Sequence, residues 1–298
     1  EGIHKINFQT INSKKKISLK TTDYKKTDLV LNKLDQILGQ GITASMLNLF
    51  LIDKKKFFER YVLEIRDDNI EEIAKANTLG NVVHDTIEQL YTPLLNKKLN
   101  VKELKEIKET VSKTVSKRIE KYINKKSLER GKNIIITNTA VNYVKKLIDK
   151  DIHSCIKGDK ITILAVEKNF TNEIVTGKKK IRIRGKIDRI DLYNGKIRVV
   201  DYKTGKFIQK NKINIRSLKE IKNENGIYAL QLLLYAIDVK ENYKGEIYGE
   251  IVSSRDRINN KNILEIEGEQ YLNDGLINQG KKYILEIIDE IKNADETF

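Results

Sequence analysis

A chain of 298 residues with 39% hydrophobic and 33% charged side chains has room for one large or two small domains around a substantial core. No apolar run approaches the ~18 residues of a membrane helix, and the single cysteine, Cys155, excludes a disulfide framework, a structural zinc cluster of thiolates and a four-cysteine iron–sulfur site. The net charge of +15 suits a polyanionic partner such as nucleic acid, although an excess of Lys over Arg with abundant Ile and Asn is also what an A+T-rich coding sequence writes into any protein. One cysteine and no visible signal peptide lead to the expectation of a cytoplasmic protein, and a start at Glu1 rather than Met to that of a trimmed or excised piece.

Residues 1–40 are polar and Lys-rich, and read as an N-terminal extension holding a short extended stretch and one helix. The main domain is expected over 41–298. Thr43 or Ser45 can cap a helix reaching Ile65, with Leu47, Phe50, Leu51, Phe57, Phe58 and Tyr61 at roughly helical spacing. Further helices are predicted near 71–92, 101–126 and 137–156, the stretch from about 95 to 156 forming a helical insertion. The pattern then turns to strands at 160–170, 180–193 and 196–204, a helix at 226–239, strands near 245–254 and 262–267, and a closing helix at 270–293. This is mixed α/β with one sheet.

Residues 180–204 read KIRIRGKIDRIDLYNGKIRVVDYKT. Asn194-Gly195 between two alternating runs predicts a hairpin closed by a two-residue type I′ turn. Tyr193 then faces Lys196, Leu192 faces Ile197 and Ile190 faces Val199, while Asp191 meets Arg198 on the opposite face; a slip of one residue would mix the faces. Continued, the register sets Asp188 across from Asp201 and Lys186 across from Lys203. Like charges at facing positions are destabilising. A hard divalent cation would resolve the conflict; a solvent-facing hairpin with merely hydrated acids is the bland alternative. Gly80, His84 and Glu88 share one helix face, so the imidazole can be a further ligand and the glycine can admit a close approach. In isolation, however, His84 reads more readily as a core-edge histidine than as a ligand. Glu167 is another candidate acid, or an ordinary exposed strand glutamate. Gln231 and Tyr235 share a stripe of the apolar helix YALQLLLYAI, which simple amphipathicity would also produce.

Four motifs occur in order: G-x-x-x-H (Gly80–His84), G-x-x-D-R-I-D (Gly185–Asp191), V-V-D-Y-K-T-G-K (Val199–Lys206) and Q-x-x-x-Y (Gln231–Tyr235). Together they resemble the RecB-like branch of the PD-(D/E)xK nuclease superfamily over about residues 42–254. The stretch ITASMLNLFLIDKKKFFERYVLEI is similar to the helix that precedes the histidine motif in nuclease domains of AddB-type helicase–nuclease subunits, with Asp53-Lys54 where a Cys-Pro pair is common there. The resemblance implies a restriction-endonuclease-like mixed sheet core (αβββαβ) surrounded by additional helices. It implies His84, Asp188, Asp201 and the backbone carbonyl of Tyr202 as ligands of Mg²⁺, with Mn²⁺ able to substitute. Lys203 would act on the attacking water and the phosphate, Glu167 as an acid on the first core strand, and Gln231 and Tyr235 on the DNA strand near the metal. The iron–sulfur cluster of several relatives is not expected, because Cys155 is alone.

Arg182, Arg184, Lys186 and Arg189 are the basic residues expected to track the DNA backbone through salt-sensitive contacts. No P-loop, G-x-S-x-G or H-E-x-x-H motif competes for the chemistry. The sequence reading is therefore a Mg²⁺-dependent deoxyribonuclease with little sequence specificity, an exonuclease of DNA repair or recombination. The expected partners are DNA ends and a helicase subunit or helicase-like region. The rival is a non-catalytic DNA-binding scaffold that keeps the fold.

Overall fold

The computed structural model describes residues 25–65, 70–124, 132–177, 179–205, 213–222 and 226–293. Lys206 of the third motif and the first 24 residues of the expected extension lie outside that set. A four-stranded sheet of order β1-β2-β3-β5 is built from β1 (Ile161–Thr176), β2 (Lys179–Tyr193), β3 (Lys196–Lys203) and β5 (Ile247–Ser253). The first three strands are antiparallel, and β5 joins β3 in parallel after the crossover helix α7 (Ile227–Asn242). That connection needs a helix, because parallel neighbours cannot be joined by a tight turn.

The hairpin register is the one the turn dictates. Asn194 and Gly195 both have positive φ, 51° and 85°, as a type I′ turn requires. Tyr193 pairs Lys196, Leu192 pairs Ile197, Asp191 pairs Arg198 and Ile190 pairs Val199. The last pair of the ladder is Arg189 with Val200, so it stops one step short of the expected Asp188–Asp201 pair. There the Asp188 side chain itself takes the next strand's amide: its Oδ2 accepts from Tyr202 N at 2.6 Å.

Helices cover both faces of the sheet. On one side α1 (Asp28–Gly39), α2 (Ala44–Ile52), α7 and α8 (Asp274–Lys292) pack Leu34, Phe50, Leu233 and Ile284 against Ile183, Ile190, Val199 and Ile251. On the other, α4 (Ile70–Tyr91), α5 (Val101–Ile119) and α6 (Lys132–Ile156) pack Ile87, Val115 and Ile148 against Ile161, Ile163 and Val200. The predicted αβββαβ order is therefore present, with α5 and α6 as the added helical layer. Residues 28–39 of the predicted extension contribute Val30, Leu34 and Leu38 to the core.

The predicted helix from 43 to 65 is divided. Thr43 caps its start, Oγ1 accepting from Met46 N at 3.2 Å, but Asp53 leaves helical geometry and caps a new turn, α3 (Lys54–Phe57), by accepting from Lys56 N. A wider π-type turn at Phe58–Val62 follows. The strand predicted at 262–267 contracts to β6 (Glu265–Ile266), which pairs in parallel with the equally short β4 (Asn214–Ile215).

Candidate active site

Where β2 and β3 separate, five elements bring their polar groups together. His84 from α4 points Nδ1 at Glu167 Oε1 of β1, 2.8 Å away, and at Asp188 Oδ1 of β2, 3.4 Å away. Glu167 reaches this place through an unusual backbone. The β1–β2 register slips by one residue between Ile163 and Ala165, and Glu167 then takes φ 48°, left-handed for a side-chain-bearing residue. Such a conformation costs about 1–3 kcal/mol and persists where surrounding contacts impose it. Here both carboxylate oxygens are claimed, Oε1 by His84 and Oε2 by Lys186 at 2.6 Å. The side chain is 2% exposed, so the reading of Glu167 as an exposed strand acid is corrected.

The second half of the site lies on β3 and α7. Lys203 Nζ sits 2.7 Å from Asp201 Oδ2 and donates to Gln231 Oε1 at 3.1 Å. Gln231 Nε2 in turn donates to Asp201 Oδ1 and to the Tyr235 hydroxyl, both at 2.7 Å. The stripe on α7 is thus a polar ladder that fixes Asp201 and Lys203. Tyr228, one turn earlier on that helix, sets its ring 5.8 Å from Lys203 Nζ; nothing in its sequence context distinguished it from the other aromatic residues of the helix.

Electrostatics follow from burial among acids. Desolvation and the nearby Asp201 push the Asp188 carboxyl up to about 7. Burial alone would lower His84, but Asp188 and the Glu167 bond outweigh it and raise the imidazole to about 9. Burial likewise opposes the charge on Lys203, yet Asp201 keeps its ammonium above the ordinary lysine value. Glu167 is held below the ordinary range, its desolvation outweighed by His84 and Lys186.

His84 Nδ1, Glu167 and Asp188 each offer a ligand atom, all within 4.8 Å of one another, in a set that suits a divalent ion. A neutral imidazole cannot aim its lone pair at two carboxylates; the position calls for a proton or a cation between them. Asp201 Oδ2 is buried and faces the Lys203 ammonium at 2.7 Å, so the acid enters the cluster already paired. The residues present therefore fit a divalent metal ion, with Glu167 placed more centrally than the motifs alone suggested.

Other expected residues fall elsewhere. Arg189 is 2% exposed and bonds Asp191 at 2.6 Å, Asp151 of α6 at 2.7 Å and the Tyr202 hydroxyl at 3.2 Å. Arg198 completes that buried network through Asp191 and Glu250. The expectation that Arg189 contacts DNA is thus corrected: its guanidinium faces the interior. Lys186 is half exposed but engaged by Glu167. Arg182 and Arg184 remain exposed, about 20 and 13 Å along β2 from Asp188 at ~3.3 Å per residue. Glu88 faces Lys186 rather than the ligand trio. Gly80 is not sterically required, since an added methyl would meet only Thr204 Oγ1 at 3.7 Å, whereas at Gly185 it would strike the Phe170 ring at 2.7 Å.

The sequence model of the PD-(D/E)XK nuclease superfamily matches residues 42–296. The chain belongs to this superfamily. The mixed sheet with its flanking helices is consistent with the restriction-endonuclease-like fold, and membership suggests a metal-dependent nuclease acting on DNA. No curated protein matches the chain. Among the described residues, no helix is long and apolar enough to cross a membrane.

Proposed function

We propose that this superfamily member is a Mg²⁺-dependent deoxyribonuclease of the RecB-like branch, degrading DNA from ends with little sequence specificity. The observation that carries the reading is the convergence of His84, Glu167 and Asp188 beside the Asp201–Lys203–Gln231 ladder. His84, Glu167, Asp188, Asp201 and the Tyr202 carbonyl are the residues that would hold the ion. Bound there, a divalent ion lowers the pKa of an attacking water and neutralises a non-bridging phosphate oxygen.

The chain's own groups supply the rest. Lys203 stays protonated beside Asp201, so it acts as a fixed positive charge toward the phosphate and as a donor that orients the water, not as a base. Gln231 holds Asp201 and Lys203 in one geometry while Tyr235, a neutral phenol, anchors Gln231. Phe170, edge-on to Tyr235 with ring centroids 6.0 Å apart, buttresses that ladder from β1. Arg182 and Arg184 extend positive charge along β2 for the DNA backbone.

The order and spacing of the four motifs support the RecB-like assignment and, with it, exonuclease action in DNA repair or recombination. The same resemblance supports a helicase subunit or helicase-like region as partner, while a place in the cytoplasm rests on the single cysteine. The test is a digestion time course on end-labelled linear and covalently closed circular DNA with Mg²⁺, Mn²⁺, Ca²⁺ or EDTA. Loss from linear ends with Mg²⁺ or Mn²⁺ is expected. Equal attack on closed circles would replace the exonuclease by an endonuclease, and intact DNA throughout would favour the scaffold reading.

A further inference from the structure

Resting on the nuclease reading, we infer that the helical insertion supplies Tyr122 as a stacking platform for an unpaired base beside the metal site. Among the described residues Tyr122 is the only exposed aromatic side chain, at 40%. A lone exposed ring is ordinary on a protein surface; this one is held in place, and held beside the chemistry. Its hydroxyl donates to Asp85 Oδ2 at 3.1 Å, and Lys121 Nζ meets the same oxygen at 3.2 Å. Asp85 follows the ligand candidate His84 on α4, and Gln89, one turn further, accepts from Arg118 Nε at 2.7 Å. The helix that carries His84 therefore also fixes the end of α5 and the ring just beyond it.

Two lines of positive charge lead to that ring. On β2, Arg182, Arg184 and Lys186 alternate along one exposed strand face, and Lys186 Nζ lies 2.6 Å from Glu167 of the ligand trio. On the insertion, Lys113 and Lys117 of α5 and Lys121 just after it stand exposed at four-residue steps, about 6 Å apart along a helix axis. The acids among them are Glu109, one step before Lys113, Glu120 beside Lys121, and Asp85 and Glu88, which face Lys186. Burial and Asp85 push the Tyr122 phenol above its ordinary value against the opposing pull of Lys186 and Arg118, so the ring is neutral. A neutral ring between two cationic lines can take a base on its face while the flanking phosphates meet ammonium and guanidinium groups.

A base reaches the ring only when it is unpaired, so the platform selects a single-stranded or frayed end over intact duplex. Stacking uses the ring and not the hydroxyl. Tyr122→Phe therefore keeps the platform and Tyr122→Ala removes it. Both changes fall at the surface, where substitutions disturb stability little.

The experiment measures initial cleavage rates with Mg²⁺ on end-labelled single strands below half-saturation, each strand carrying one abasic nucleotide at a successive position from the end. Wild type and Tyr122→Phe should slow about tenfold where the missing base is the one that meets the ring. Tyr122→Ala should cut the unmodified strand about tenfold more slowly and be indifferent to that position. A flat profile in wild type, a wild-type rate in Tyr122→Ala, or a profile the two share overturns the inference. If wild type cuts no strand with any divalent ion, the nuclease reading fails. The same series, read as binding by fluorescence anisotropy in EDTA, then decides the platform. A position felt by wild type and not by Tyr122→Ala upholds it, and equal profiles overturn it.

Discussion

Lys203 and Arg189 are both cations held against carboxylates, and their surroundings give them opposite work. Lys203 is paired with Asp201 Oδ2 at 2.7 Å, at the edge of the proposed metal site. Lys203→Ala should abolish cleavage while leaving DNA affinity within a few-fold; a variant retaining a tenth or more of wild-type activity would refute the role. Arg189 ties β2 to α6 and to the Tyr202 hydroxyl inside the molecule. Arg189→Ala leaves Asp191 and Asp151 short of a buried partner, and breaking such a pair costs about 3–5 kcal/mol. Urea unfolding should show that loss, and an unchanged midpoint with weakened DNA binding would contradict it. From sequence the two residues look alike, each a basic residue within two positions of an aspartate. What separates them is Asp151, which the fold brings in from a helix elsewhere in the chain. Glu167 was a candidate through the resemblance, but its inward direction could not be read, because it depends on a left-handed backbone set by a register slip.

The elements that could be read in advance are those whose information is local. The β2–β3 hairpin declares its register through Asn194-Gly195 and the alternation around it, and the pairing follows. The break at Asp53 was hidden because the apolar spacing runs straight across it, while β4 and β6 are too short to carry a period. Gly185 shows the same locality in a motif residue: it faces Phe170 across β1–β2, and any side chain must displace that ring. Gly185→Ala should therefore destabilise by about 1–3 kcal/mol through overpacking. It should also lower turnover, because Phe170 packs edge-on to Tyr235, which anchors Gln231. Chemical denaturation and single-turnover cleavage measure the two effects, and wild-type values in both would remove Gly185 from the argument.

For the whole molecule, the acidic site makes metal-free stability depend on pH with a definite sign. Asp188, raised to about 7, and His84, raised to about 9, both bind protons more tightly folded than unfolded. Their contributions are full below the unfolded values of about 3.9 and 6.5 and are lost as pH rises through the folded ones. The Tm of the metal-free protein should therefore fall between pH 5 and 9. Mg²⁺ binding needs both groups deprotonated, so its stabilisation should grow over the same range. At a hundredfold excess over Kd it amounts to about 2.7 kcal/mol, a rise in Tm of several degrees. Asp188→Asn should melt at or above wild type without metal and lose most of the metal-induced rise. Equal metal shifts in both proteins would show that Asp188 is not a ligand.

Cleavage of one end-labelled linear DNA by wild type with Mg²⁺, by wild type with EDTA and by Asp188→Asn with Mg²⁺ tests the metal-dependent nuclease most directly. The geometry at His84, Glu167 and Asp188 predicts product in the first reaction alone. Product in EDTA, undiminished product from Asp188→Asn, or none from wild type with any divalent ion would contradict it.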